Sequence, residues 1–519
     1  MAIMKLKRQS LVSQGSLSRL FQAASEAWQR CDFQQSIEIL ERASRLDPAN
    51  SGILLDLGGL YGKRYDNAAA ERCFERAVRM APQKMDALLA AGQQSRDFGN
   101  PAMAERYFQR ALDLNADSPE TLVKLAEIYE RLRRLTEAAG LTDRALQLNG
   151  ACAPALLVRA RLDRQAGRLI EAEQCLRSFL LSKSEPALLA QGWYELGGVL
   201  DRQGRYDEAM AAILEAKALL NPKAGPQLAE LKIVRARLET MKTGVTAEMF
   251  QRWFDSGQAL QPPRQLALLG GHPRSGTTLL EQVLDSHPDI VSAEETTLFH
   301  DDAYMPLTRG RPENEPMLSV LEAATAGALQ QSRANYFRAA EMFLGQPIGH
   351  RLLIDKNPSL TFLIPLLIRV FPEIKFLVAL RDPRDVCLSC FMQNLPLNQG
   401  SSPYLSLEST VEDYGAMIGL WQTLRPMLES HYLEVRYEDM VDDLEPVARR
   451  TLDFLGVPWD ARVLDFDEHA RQKVVRSPTY ADVIQPVYKR AVGRWRNYQK
   501  YFEPHLEQLE PFAKAWGYE

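Results

Sequence analysis

The sequence predicts two domains of different class: an all-α solenoid of helical hairpins, then an α/β domain with a mostly parallel sheet. Three observations carry that prediction. Small residues and turn residues recur with a period of 34 through the first half. The period fails near residue 240, where a stretch ending in two prolines follows. Beyond Gln265, short apolar runs (LALLG, LLID, KFLVAL, YLEV) alternate with helical patterning, as strands joined by crossover helices do. A chain of 519 residues is also too long for one ordinary core.

The repeat turns fall at Pro48, Pro82, Ala116, Gly150 and Ser184, each 34 residues after the last. Ala43, Ala77, Ala111 and Ala145 precede them at the same spacing. A second small-residue track runs through Gly58, Gly92, Ala126 and Ala160 and reappears at Gly198 after a four-residue slip, which carries the next turn to Pro222. Aromatics such as Tyr61, Phe74, Tyr107 and Tyr129 lie between the tracks. Small side chains let two helices approach and large ones fill the gaps between them. These residues resemble the tetratricopeptide repeat family, whose 34-residue helix-turn-helix unit carries small residues at such places and often Pro at the turn. The resemblance covers residues 17–240, some six units, and leaves 1–16 as an N-terminal tail. It implies a concave surface for a peptide or protein, or else a stabilising or dimerising scaffold. Residues 241–263, ending in Pro262-Pro263, are expected to connect the domains, and 264–519 to form the second one.

The most informative stretch opens that second domain: QLALLGGHPRSGTTLLEQVLDSHPDI. A buried strand (Leu266 to Leu269) runs into a Gly-containing loop, and a helix opens near Thr277 with Leu279, Leu280, Val283 and Leu284 on its apolar face. Strand, loop and helix in this order set backbone N–H groups around a phosphate, a P-loop-like layout. From Gly271 the spacing is Gx₄G followed by Thr277-Thr278, where an ATP-hydrolysing loop has Lys then Ser or Thr. The lysine is missing, and no acidic residue stands like a magnesium-holding Asp, so no metal is expected. A phosphosulfate carries less terminal charge than a triphosphate. Backbone amides, hydroxyls and one arginine suffice for it, and Arg274, Ser275, Thr277 and Thr278 supply that set.

PRSGTTL followed by LDSHP resembles the 5′-phosphosulfate loop of the sulfotransferases, most closely tyrosylprotein sulfotransferases and their bacterial relatives. The resemblance implies 3′-phosphoadenosine-5′-phosphosulfate (PAPS) as donor, with Pro273, Arg274, Ser275, Gly276, Thr277 and Thr278 around its 5′ end. In KFLVALRDPRDVCLSCFMQ, a strand (Lys375 to Leu380) again feeds a helix, which Asp382 can cap and Pro383 suits at its first turn. Arg381 and Ser389 stand eight residues apart and can share a face, a charge-assisted clamp for a 3′-phosphate. The family uses an Arg and a Ser at this spacing for that purpose.

Further roles follow from the resemblance alone. Glu295, the second Glu of SAEETTLFH, matches the family's general base, with His272 and His300 as rival bases. Arg274 and Lys356 (in LLIDKNP) match the cations around the sulfate, and Ser477 (KVVRSPTY) a serine that donates to the leaving oxygen. Tyr437 (VRYEDM) and Arg494 (VGRWRNY) stand where relatives contact the nucleotide and its phosphate. One departure is Thr297, where tyrosine-sulfating relatives have an Arg for the acidic peptide. The implied reaction moves a sulfuryl group from PAPS to an acceptor hydroxyl on a protein tyrosine, a carbohydrate or a small molecule. Two alternatives stay open: a partner-binding repeat protein with a degenerate nucleotide-sensing domain, and a P-loop kinase.

Composition limits the partners. A formal net charge of -5 argues against affinity for a nucleic-acid backbone. The six cysteines are too sparse for a disulfide scaffold, and Cys387 with Cys390 reads as the small apolar face of a helix. No signal-peptide run and no stretch of about 18 apolar residues occurs, so a cytoplasmic protein without a membrane anchor is expected. The expected partners are the sulfate acceptor, including a protein docked on the array, and a second copy of the chain in a homodimer.

Overall fold

The computed structural model describes residues 17–260, 262–312, 315–472 and 488–518. After a first helix at residues 17–29, helices alternate in hairpins from Phe33–Leu46 to Tyr206–Leu220. The small-residue track makes direct packing sense. A Cβ on Gly58 would stand 2.4 Å from the Phe74 ring, and one on Gly92 would stand 2.5 Å from Phe108, one repeat later. Each glycine admits the phenylalanine of the partner helix. Local caps agree: Asp66 accepts from the Ala69 N–H and Asn100 from the Met103 N–H, with Pro101 opening the latter helix.

Two compact units emerge, Met1–Leu162 with Arg338–Gln346, and Asp163–Phe337 with Pro347–Glu519. The divide between these compact units falls inside the repeat array. The reason is a shared core. Ala190, Tyr194, Met210, Ile213 and Ala216 of the last hairpin are buried in one cluster with Val386, Cys387, Phe391, Trp495 and Tyr498. The stretch 241–263, expected as a connection, is mostly helical and belongs to the second unit. Thr246 caps the helix Ala247–Ser256, whose Phe250 and Trp253 are buried where it packs on the helix Ile364–Val370.

The second unit holds one five-stranded parallel sheet: β1 (Leu266–Gly271), β2 (Ile290–Glu294), β3 (Leu352–Lys356), β4 (Lys375–Leu380) and β5 (Tyr432–Arg436), ordered β2-β3-β1-β4-β5. All four pairings are parallel, and Leu269 stands opposite Lys356 while Gly271 stands opposite Ala379. The chain leaves central β1 in one direction for β2 and β3 and in the other for β4 and β5. Such a switch point opens a crevice at the carboxyl ends of the strands, where ligands bind in open parallel sheets. Among the described residues no helix is long and apolar enough to cross a membrane.

Candidate active site

β1 ends at Gly271 with φ +129, where a Cβ would stand 2.4 Å from the Ala379 carbonyl oxygen. Only glycine fits so close to β4. The loop then turns through Arg274 (φ +73) and Gly276 (φ +98) into the helix Thr277–Asp285. Gly276 packs under Tyr437, whose ring a Cβ would meet at 2.6 Å. As N-cap it offers the helix no side-chain acceptor. The helix start thus carries no side-chain cap, and the helix dipole favours an anion there.

A cavity of about 870 Å³ opens over this loop. Pro273, Arg274, Gly276, Thr277 and Thr278 line it from the loop, and Glu295 from the end of β2. Arg381, Ser389, Tyr437 and Arg494 complete the set that the sequence singles out. Ser275 is placed differently. Its hydroxyl donates to the His272 carbonyl at 2.7 Å, tying the loop together, and it is not among the lining residues. Ser477 lies outside the described residues.

Arg381, Arg274 and Ser389 form one connected group. Arg274 Nε donates to Ser389 Oγ at 3.0 Å, and Arg381 Nη1 donates to the Arg274 carbonyl at 3.2 Å. Asp382 caps the helix Pro383–Met392 through the Arg384 N–H at 2.9 Å, which fixes Ser389 on the facing side. Arg381 is buried, with its guanidinium 4.9 Å over the Tyr437 ring centre. Its Nε has no hydrogen-bond partner among the described residues. A buried guanidinium N–H without an acceptor is costly, and an incoming anion would satisfy it.

Glu295 follows β2 in a left-handed conformation, φ +49. Its N–H donates to the Lys356 carbonyl at 2.7 Å, and its carboxylate accepts from Lys356 Nζ at 2.8 Å. Lys356 is fully buried behind it and is not among the lining residues. Burial alone would push its ammonium down. Three carboxylates outweigh that and hold it above the ordinary lysine value: Glu281 at 3.5 Å, Glu294 at 3.4 Å and Glu295 at 2.8 Å.

The histidines stand elsewhere. His272 is fully buried among Cys390, Tyr404, Asp413 and Tyr414. Burial disfavours its charge, Asp413 at 3.6 Å and Cys390 push it up to about 10, and His272 is not among the lining residues of the cavity. His300 faces Asp301 at 2.9 Å and is not a lining residue. Cys387 and Cys390 are both buried in the apolar cluster on their helix, and neither is among the lining residues.

Other lining residues have no motif of their own. Asn357 follows Lys356 and donates to the Thr296 carbonyl at 2.8 Å. Arg490 lies in the same basic run as Arg494, which was the one available hint. Arg164, Leu169, Asp201, Arg202 and Tyr206 come from repeat helices of the second unit. No catalytic pattern in the sequence points to them.

Residues 267–461 match the family model described as Sulfotransferase family, and residues 89–154 and 157–228 match the Tetratricopeptide repeat model. The chain carries a sulfotransferase-family domain. An uncharacterized protein of Aquifex aeolicus (strain VF5) is 26% identical over 352 residues, 66% of this chain and 44% of that protein. Protein-tyrosine sulfotransferase 1 of Danio rerio is 28% identical over 253 residues, 46% of this chain and 70% of that protein. Protein-tyrosine sulfotransferase of Drosophila melanogaster is 27% identical over 238 residues, 44% of this chain and 46% of that protein. The matches thus span less than half of two of these relatives. Among solved structures, the sulfotransferase domain from the Synechococcus PCC 7002 olefin synthase is 24% identical. That match covers 48% of this chain and 95% of that one at a TM-score of 0.35, too loose to bear on chemistry.

Proposed function

We propose that the sulfotransferase-family domain moves a sulfuryl group from PAPS to an acceptor hydroxyl, with Glu295 as general base. One observation carries the reading. A single cavity gathers an uncapped helix start, a cationic group built from Arg274, Arg381 and Ser389, and a carboxylate held by a buried lysine. The residues fit a donor with an anion at each end. The N–H groups at Thr277 and Thr278 suit the 5′ end, and Arg381, with its unsatisfied Nε, suits the 3′-phosphate together with Ser389. When bound, the donor supplies a sulfuryl group on a phosphate leaving group.

Tyr437 and Arg494 flank the nucleotide in this reading, and Arg274 sits between its two ends. Glu295 accepts the proton of the acceptor hydroxyl, while Lys356 holds the Glu295 carboxylate in place from behind. The acceptor hydroxyl belongs to a protein tyrosine, a carbohydrate or a small molecule. Thr297 donates to Asp301 at 2.6 Å, at the place where tyrosine-sulfating relatives have an arginine.

Radiolabelled PAPS incubated with a cell extract and the purified chain tests the reading. Wild type should label an acceptor, and Glu295→Gln should lower labelling by about 10²-fold or more while still binding adenosine 3′,5′-bisphosphate. Near-normal turnover by Glu295→Gln would remove the base assignment. A thermal shift with ATP and magnesium, but none with adenosine 3′,5′-bisphosphate, would remove PAPS itself.

A further inference from the structure

We propose that Asp201, on a repeat helix, is a positioning residue for the donor site: it holds Arg494 at the cavity and makes the last repeat hairpin part of nucleotide binding. The inference rests on the PAPS reading above. It begins with helix length. Ser51–Lys63, Pro119–Arg131 and Ala153–Gln165 are each 13 residues long, whereas Pro186–Arg202 has 17. The extra residues amount to about one helical turn, and the turn glycine that follows, Gly204, comes 37 residues after its counterpart Gly167 in place of 34. The lengthened helix ends in Asp201 and Arg202, and both line the cavity.

Asp201 Oδ1 gathers donors from the far end of the chain: Tyr498 Oη at 2.6 Å, Arg494 Nη2 at 2.9 Å and Arg494 Nε at 3.3 Å. The backbone around Arg494 is fixed as well. Asp385 accepts from the Gly493 N–H at 2.7 Å and the Trp495 N–H at 2.8 Å. Arg494 is thus clamped at its main chain by the sulfotransferase domain and at its tip by the repeat helix. A long arginine side chain ordered before the ligand arrives loses less freedom on binding. The opposite effect is also physical, since an aspartate can neutralise the arginine and weaken its hold on an anion, and the two effects differ in sign.

Calorimetry with adenosine 3′,5′-bisphosphate on the full chain reads that sign without any acceptor. Asp201→Asn keeps an oxygen for Tyr498 but loses the charge, and should weaken binding about 5-fold or more. Arg494→Gln should weaken it at least as much, and the double variant should be no weaker than Arg494→Gln alone. Asp201→Glu should restore binding at least in part. Tyr498→Phe, which removes only the hydroxyl, controls for a merely structural loss and should change the melting temperature more than the affinity. Unchanged or tighter binding by Asp201→Asn, or losses that multiply in the double variant, would overturn the inference. Failure of wild type to bind the nucleotide would instead overturn the PAPS reading beneath it.

Discussion

Lys217 offers a perturbation whose size follows from its surroundings. It sits on the repeat helix Tyr206–Leu220, 3% exposed, with Nζ donating to the Tyr404 carbonyl at 2.5 Å and lying 4.5 Å from the Phe391 ring centre. Burial pushes its ammonium down to about 7 from 10.5, against an opposing effect of Cys390. At about 1.4 kcal/mol per pH unit, that displacement costs folding on the order of 5 kcal/mol at pH 7. The sign follows from proton binding. Above 10.5 both states are neutral and the cost vanishes. As pH falls toward 7 only the unfolded chain takes up the proton, so stability drains; below 7 the folded chain takes it too and the slope disappears. Lys217→Met removes this cost but leaves the Tyr404 carbonyl without its donor, a loss of about 1–3 kcal/mol. The variant should therefore exceed wild type by about 2–4 kcal/mol near pH 7, and lose that advantage by pH 10. Denaturant melts of both proteins between pH 6 and 10 measure it. A gap that does not change with pH, or a less stable variant at pH 7, would refute the assignment of the cost to the buried ammonium.

Two further outcomes are expected. Asp355, fully buried on β3 with the Tyr336 hydroxyl donating to it at 2.8 Å, is pushed up to about 7 by burial. Its contribution to stability is whole below about pH 3.8 and lost as pH rises through 7, so the margin of Asp355→Asn over wild type should grow from pH 4 to 7 and then level off. Melting temperatures across that range check it, and a constant margin would count against it. Arg381→Gln should weaken adenosine 3′,5′-bisphosphate by about 10-fold or more and leave adenosine 5′-monophosphate unaffected, by calorimetry at fixed salt. Equal losses for both nucleotides would take Arg381 away from the 3′-phosphate.

Local signals in the sequence were enough for the loop and its flanks. An apolar run ending in Gly270-Gly271 and a Thr-Thr helix start define β1 and the helix Thr277–Asp285, and Asp382-Pro383 marks the helix after β4 where it begins. The array was legible because one signal repeats many times. What escaped depends on contacts distant in sequence. Phe250 and Trp253 look like part of a connecting segment until the helix Ile364–Val370 covers them. Lys356 reads as an ordinary lysine at a strand end, yet three carboxylates from two neighbouring elements enclose it. His272 borders the loop in sequence, but its ring turns to Asp413 across the fold. The slip at Gly198 looks like an interruption, although it is a longer helix that brings Asp201 to the cavity.

Backbone strain separates the site from the scaffold. Among the described residues, the non-glycine positions with positive φ are Cys31, Tyr65, Arg133, Arg274, Glu295 and Glu429. Cys31, Tyr65 and Arg133 share one turn position in the repeat hairpins, and Gly99 and Gly167 occupy that same position in two others. There the left-handed conformation belongs to the turn, and any residue that tolerates it will serve. Arg274, Glu295 and Glu429 follow no such repeat, and of these Arg274 and Glu295 line the cavity. Each costs about 1–3 kcal/mol that a glycine would avoid. Each also joins two contacts through that conformation. Arg274 turns its carbonyl to Arg381 and its side chain to Ser389, and Glu295 takes both the backbone and the ammonium of Lys356. Glycine would keep the turns and lose both side-chain contacts, so the strain is tied to the two groups that the proposed reaction needs at the cavity.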